Sequence, residues 1–304
     1  MSQHPAPQLP QEAGTSVLAI TSLILGIASF LCVFLAGVPA IISGILALSK
    51  ISGSHGRVGG KGLAIAGIVT GALGCLWTLV LIGMLMPAIQ ATRTAARRVT
   101  TQNNIRQLVL CCHNHESAFM RFPSNIGPKH RDAGELLSWR VHLLPFLEQN
   151  NLYDQFHLDE PWDSPHNLTL IPLMPEYYQH PQLPELTEQG LTVFQMPTSS
   201  LEDPNKTILV SGQQGSDFSQ ISDGSTNTIM IFETSAAAAV PWTAPQDWKL
   251  DPSNPQRDLG DAFPGGFNVG LCDCSTHFIN PQSAGDKTLN ALFMRDDGQI
   301  VELP

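Results

Sequence analysis

From Ser16 to Ile89 the only charged residues are Lys50, Arg57 and Lys61. A run of that length without acid or base constrains this chain more than any motif, because it reads as membrane-spanning. It falls into two apolar stretches. Ser16–Leu48 is 33 residues, longer than the ~20 that cross a bilayer, and Gly37, Pro39 and Gly44 interrupt it. The expectation is one spanning helix over about 16–36 and a shorter apolar or interfacial piece to about 48. The loop 49–62 (SKISGSHGRVGGKG) is small, polar and basic, and Leu63–Ile89 follows as a second spanning helix. Within it Gly67, Gly71 and Gly74 stand at spacings that let helix backbones approach closely in lipid. Residues 1–15 are rich in Pro, Gln and Ala and read as a disordered tail without the basic region and cleavage site of a signal peptide.

The charge is divided as unevenly as the hydropathy. Residues 1–62 carry one acid and three bases, residues 63–107 four arginines (Arg93, Arg97, Arg98, Arg106) and no acid, and residues 108–304 nine bases against 25 acids. A basic stem thus precedes a strongly acidic domain. Such a domain suits no nucleic acid, since phosphates need neutralising cations. The arginines just past the apolar helix suit anionic lipid head groups instead. The basic loop 49–62 favours the cytoplasmic side, which would place both termini outside the cytoplasm; the stem arginines argue the other way.

The second apolar helix has no stop signal. Residues 86–119 hold one proline, Pro87, and no glycine, and Ile89, Ala96, Ile105, Leu108, Val109 and Cys112 recur at roughly helical spacing. A helix over about 63–120 would be about 87 Å long at ~1.5 Å per residue, apolar in its first half and amphipathic in its second, with Pro87 kinking it or opening a new one. Beyond Phe122–Pro123 prolines and acids become dense. Residues 138–149 read as a short helix or turn-rich segment. Strand candidates are 192–194, 206–210, 227–233, 267–271 and 299–303, and the proline-rich tract 241–263 reads as loop. The fold class expected is α+β: two transmembrane helices, the second continuing into a stem helix (86–122) packed on an antiparallel sheet domain with long loops (123–304).

The segments MPAIQATRTAARR (86–98), NNIRQL (103–108), His113–Asn114, SWRVHLLPFLEQNNLYDQF (138–156), EPWDSPHN (160–167), FSQISDGSTNTIMIFE (218–233), VPWTAPQDWKLDP (240–252) and FPGGFNVGLCDCSTHFI (263–279) follow one another in order. With these, residues 86–304 resemble a bacterial family of pilin-like, pseudopilin-like proteins of unknown function. Residues 16–85, with AIAGIVTG at 64–71, separately resemble a small two-helix membrane domain of unknown function. The resemblance implies a pilin-like stem and outer domain with a structural or assembly role among envelope proteins. Members of that family open with a short basic leader and carry Glu at the fifth position of the apolar run. The second apolar run here contains no Glu. A chain without that leader and Glu is expected to stay fixed in the membrane, unprocessed, rather than to build a fibre.

The family's C-terminal signature, a His, nine residues, then Asp-Gly, is degenerate here. Phe263 stands at the His position, Gly265, Gly266, Asn268 and Asp273 are kept, and Cys274 replaces the Gly. Asp223–Gly224 and His113–Asn114 also match. In such a turn Gly serves a positive φ, so Cys274 implies strain or a different turn. Cys272, Cys274 and His277 would form a metal site only if a tight hairpin brought them together. In CCHNHE (111–116), Cys111 pairs with His115 at i,i+4, and Cys112 with Glu116 at i,i+4 and with His115 at i,i+3, on two helix faces. One helix rarely supplies the four ligands zinc wants, so packing and capping is the stronger reading. Asp223 in ISDGSTNTI reads as a turn acid, with calcium as the alternative ligand of an acidic loop. No G-x-S-x-G occurs and no nucleophile–base pair can be assigned, so no enzyme is expected. The competing expectations are a structural or assembly protein and a membrane-tethered ligand-binding or sensor module. An apolar pocket with convergent polar groups would distinguish the second.

Overall fold

The computed structural model describes residues 14–15, 17–28, 37–53, 58–127 and 134–301. Of the expected tail at 1–15, residues 1–13 lie outside the described residues, as does the end of the 299–303 strand candidate, while Gly14–Thr15 form a short strand. The chain divides into two compact units, Met1–Thr92 and Arg93–Pro304.

In the first unit a two-residue strand β1 (Gly14–Thr15) leads into helix α1 (Val17–Ala28), followed by α2 (Gly37–Gly53), strand β2 (Val58–Gly59) and the start of α3 (Lys61–Phe119). β1 and β2 pair in parallel, Gly14 with Val58 and Thr15 with Gly59. The Ser22 hydroxyl donates to the Ala40 carbonyl at 3.0 Å, and Ala19, Ala47 and Ala64 form a small buried cluster. Position 19 therefore sits near 47 and position 22 near 40, so α1 and α2 run antiparallel. Gly67 of α3 lies against Ser22, and a Cβ at Gly71 would stand 3.0 Å from the Gly37 carbonyl. The G-x-x-x-G spacing is thus used inside the unit, where glycine lets three helices close on one another.

One expectation changes here. Of the first apolar run, α1 is described over 12 residues and α2 over 17, and residues 29–36 of the expected span over 16–36 lie outside the described residues. α2 is shorter than the ~20 residues a crossing needs. Among the described residues one helix, α3, is long and apolar enough to cross a membrane, so a second transmembrane helix is not supported. Its bounds, Lys61–Phe119, match the expected continuous helix, and Pro87 lies inside it without ending it.

The second unit takes α3 from Arg93 onward as a packing surface. Short helices α4 (Trp139–His142), α5 (Asn150–Tyr153) and α6 (Pro184–Glu188) follow, then strands β3 (Leu191–Thr192), β4 (Phe194–Gln195), β5 (Thr198–Ser199), β6 (Leu209–Val210), β7 (Ile229–Glu233), β8 (Val240–Pro241), β9 (Phe267–Leu271) and β10 (Thr276–Ile279), and a final helix α7 (Pro281–Phe293). The main sheet has the order β10-β9-β7-β4, antiparallel throughout. β3–β8 and β5–β6 are separate pairs, the latter parallel.

Strand alternation in β9, with a register shift in β7 between Ile229 and Ile231 that breaks its alternation, sorts the core onto two faces. Met230 and Ile231 join Ile105, Leu108, Val109 and Cys112 of α3 in one buried cluster, with Cys272 just beyond the end of β9. Ile229, Phe232, Phe267, Val269 and Leu271 join Leu289, Leu292 and Phe293 of α7 in another. The sheet is therefore covered by α3 on one side and α7 on the other. A Cβ at Gly270 would stand 2.5 Å from Ile105 and 2.9 Å from Val109, so this glycine lets the helix lie close on β9. Residues 299–301 are not a strand; side-chain hydrogen bonds hold them instead.

Candidate functional site

The CDC stretch is a hairpin turn between β9 and β10. Leu271 N–H donates to Ser275 O at 2.9 Å and Cys274 N–H to Leu271 O at 3.0 Å, closing a three-residue loop. Its third residue, Cys274, has φ 68°, the left-handed conformation that this loop type reserves for glycine. A non-glycine residue thus holds the positive φ expected of glycine at this turn. Asp273 Oδ1 accepts from Ser275 N–H at 2.9 Å, a turn-holding bond. Cys272 is buried and burial pushes its thiol up; Cys274 is half-buried and is also raised by burial and by Asp273. His277 Nε2 lies 3.1 Å from Ser275 Oγ. Among the described residues no three side chains of His, Cys, Asp or Glu converge to hold a metal ion, these included.

The stem contributes to the same place. His113 Nε2 donates to the Cys272 carbonyl at 2.7 Å and its ring packs edge-on to Phe122, tying α3 to the turn. Asn114 is exposed. The neighbouring groups point elsewhere. Cys111 Sγ donates to Phe146 O at 3.1 Å, and burial pushes that thiol to about 11. Cys112 is buried and raised further, with Cys111, Cys272 and Cys274 adding to the effect. His115 Nδ1 donates to Arg121 O at 2.9 Å, and burial lowers its basicity.

At the other end of the signature, Phe263 is buried with its ring centroid 5.5 Å from that of His180. His180 Nδ1 accepts from Gln182 N–H at 3.2 Å, which leaves the proton on Nε2. That nitrogen faces Glu233 Oε1 at 3.0 Å with both side chains fully buried. The second carboxylate oxygen accepts from Asn268 N–H at 3.2 Å and from its Nδ2 at 2.8 Å. Asn268 thus anchors a buried carboxylate, and Phe263 abuts that pair. Gly266 lies so close to the Ile279 carbonyl that a Cβ would overlap it, and Gly265 has φ 93°. Sequence alone did not single out His180 or Glu233, 53 residues apart.

The remaining signature residues are also fastenings. Asp223 is buried; its Oδ2 accepts from Asp297 N–H and its Oδ1 from Gly298 N–H, both at 2.8 Å. Asn227 clasps Gln299 O and Val301 N–H from the same loop, and Gly224 takes φ 96°. Asp223 therefore docks the C-terminal segment with both oxygens. Asn167 of EPWDSPHN is fully buried and gives Nδ2 to the carbonyls of His157, Glu160 and Pro161. SWR and QDW meet in the core. Arg140 NH2 lies 2.7 Å from Asp247 Oδ1, its Nε donates to Phe194 O at 3.0 Å, and Trp139 Nε1 and Met196 N–H also donate to Asp247.

Three of the stem arginines are held by neutral groups: Arg97 by Gln182 Oε1 at 2.7 Å, Arg98 over the Phe278 ring at 4.7 Å, Arg106 by Thr276 Oγ1 at 3.2 Å. The larger concavities are a cleft of about 460 Å³ lined by Asn104, Glu176, Gln179, His180 and Glu188, and one of about 390 Å³ over Gly260, Phe263, Gly265 and Asn280.

A family model described as a protein of unknown function (DUF1559) matches residues 90–256, more than half of the chain. A domain of unknown function (DUF4190) matches residues 18–81. No curated protein and no solved structure matches.

Proposed function

The chain belongs to the DUF1559 family of proteins of unknown function, and from that premise we propose that it is a non-enzymatic, pilin-like envelope protein of the bacterial cytoplasmic membrane. Its acidic domain stands outside the cytoplasm, and its role is structural, in assembly or in protein interaction. One observation carries the reading. The helix that is apolar enough to cross a membrane is the same unbroken helix, Lys61–Phe119, whose last turns form one wall of an α+β core. A membrane anchor that belongs to the same helix as the domain's core suits a scaffold.

What the buried polar residues do supports a non-catalytic role. His113, Asp223 and Asn268, and beside them Glu233 and Arg140, hold backbone and core partners. The cleft of about 460 Å³ beside Glu176 and Glu188 favours the alternative, a membrane-tethered binding or sensor module, since its size falls in the ligand-pocket range. Affinity capture of the full chain from solubilised membranes, read by mass spectrometry, separates the two. A scaffold brings envelope proteins with it, and loses them when the domain after Phe122 is deleted. Recovery of the chain without envelope partners, together with a small molecule that raises its melting temperature, would replace the proposal with the alternative.

A further inference from the structure

We infer that Cys112 of α3 and Cys272, just beyond the end of β9, form a modification site: a thiol pair that a small-molecule disulfide oxidises to a covalent link between the stem helix and the β9–β10 turn. The inference concerns residues of the second unit alone, and it stands whichever side of the membrane that unit faces.

The close approach of α3 to β9 carries the inference. Ile105, Val109 and Cys112 follow one another on one face of the helix, about one turn apart. Against them the strand presents Gly270 and then Cys272, two residues on and on the same face. A Cβ at Gly270 would stand 2.5 Å from Ile105 and 2.9 Å from Val109, so no side chain holds helix and strand apart there. One step further along both elements, Cys112 and Cys272 are wholly buried in one cluster. His113 Nε2 donates to the Cys272 carbonyl at 2.7 Å, which pins the neighbour of one cysteine to the backbone of the other. A disulfide needs Cα atoms only about 6 Å apart, hence backbones drawn together as Gly270 draws these. Both cysteines are free thiols, and Cys272 lies near enough to Cys112 to oppose its ionisation. Cys111 is committed elsewhere, its Sγ donating to Phe146 O at 3.1 Å.

An oxidant in solution does not reach two buried thiols directly, and Cys274 supplies the way in. It is half-buried, sits two residues from Cys272 in the same turn and packs against the edge of the same core. Burial and Asp273 raise its thiol, with Arg106 offsetting part of the rise, whereas burial pushes Cys112 and Cys272 up with no comparable exposure. Thiolates attack disulfides one sulfur at a time. The Cys274 thiolate attacks a disulfide RSSR, forms Cys274–S–S–R and expels one RS⁻. Cys272 then attacks the Cys274 sulfur and expels the second RS⁻. Cys112 attacks the Cys272 sulfur and returns Cys274 as a thiolate. The two protons lost by Cys112 and Cys272 end on the two RS⁻, and RSSR takes the two electrons. Cys274 is therefore a relay, restored at the end, and the product joins Cys112 to Cys272 across a loop that contains most of the second unit.

The full chain in detergent tests this. It is incubated with oxidised glutathione, remaining thiols are blocked with maleimide, and unreduced peptides are mapped by mass spectrometry. The expected product is one peptide pair joined through Cys112 and Cys272, lost on reduction. The tryptophan-fluorescence Tm of the oxidised chain should rise by about 5–15 °C, as closure of a long loop implies. Cys272→Ala should remove both the linked peptide and the shift. Cys274→Ser should give the same product at least tenfold more slowly. Wild-type chain in which Cys112 and Cys272 stay unlinked, and take maleimide only on unfolding, would overturn the proposal and leave both as plain core residues. A final product linking Cys272 to Cys274, or Cys112 to Cys274, would overturn the pairing. An unslowed Cys274→Ser would overturn the relay.

Discussion

Residues 1–92 bring helices together through alanine, serine and glycine, whereas residues 93–304 hold long loops together through buried charges and amides. In the first unit the closest approaches are Gly67 on Ser22 and Gly44 on Ile68 and Ser22. Lipid is as apolar as a leucine side chain, so nothing drives such helices together except close packing, and small residues permit it. Among the described residues the second unit, which runs from Arg93 to Pro304, has one four-stranded sheet. Most of its backbone lies outside ladders, and buried N–H and C=O groups still need partners. Arg140, Asp247, Asn167, Asp223 and Glu233 supply them. The comparison explains why the residues that look most like sites in this sequence are fastenings: a loop-rich fold needs polar anchors at particular positions.

The largest effect should come from breaking a buried anchor. Arg140→Met leaves Asp247 enclosed with Trp139 Nε1 and Met196 N–H but without its cation. A loss of about 3–5 kcal/mol is expected, the cost of an uncompensated buried charge. Denaturant unfolding of the detergent-solubilised chain, followed by tryptophan fluorescence, reads it. Adding Asp247→Leu should recover much of the loss. A single-variant loss below about 1 kcal/mol would break the contrast between the two units, because polar anchoring would then not be what holds the second.

Gly67→Leu asks the complementary question of the membrane unit. The new side chain must displace the Ser22 backbone, and overpacking of this kind costs about 1–3 kcal/mol. Proteolysis within residues 54–57 should accelerate while the fluorescence transition of the second unit stays in place. If both move together, the two units are not independent and the comparison must be redrawn.

The legible parts of this fold were those written locally. The helix over about 63–120 could be read because its apolar period and lack of glycine run unbroken past Pro87, and it is found at Lys61–Phe119. The strands at 229–233 and 267–271 lay inside short β-branched and aromatic runs. α7 escaped notice because Pro281 opens it and Gly285, at φ 74°, interrupts it. The segment 299–303 looked like a strand, yet residues 299–301 are held by Asn227 rather than by a ladder. Arg140 and Asp247 are separated by 107 positions, and nothing in either neighbourhood names the other. The antiparallel arrangement of α1 and α2 was hidden because apolar length alone does not say where a run turns back.

The smallest effect sharpens the comparison at a single turn. Cys274 holds φ 68° in a loop position made for glycine, and its side chain packs against the edge of the α3-side core. A left-handed conformation costs a non-glycine residue about 1–2 kcal/mol. Cys274→Gly should relieve that cost, less the flexibility glycine adds to the unfolded chain and the sulfur contacts it gives up. The expected net gain is up to about 1 kcal/mol, a rise of about 2–4 °C in Tm for a unit of this size. Cys274→Ala is the control: it gives up the sulfur contacts, keeps the left-handed strain and should not stabilise. Scanning calorimetry of wild type, Gly and Ala variants in one detergent decides the point. Gly must exceed Ala by more than the error of the measurement, or the cysteine is not strained and the turn has been built around its side chain.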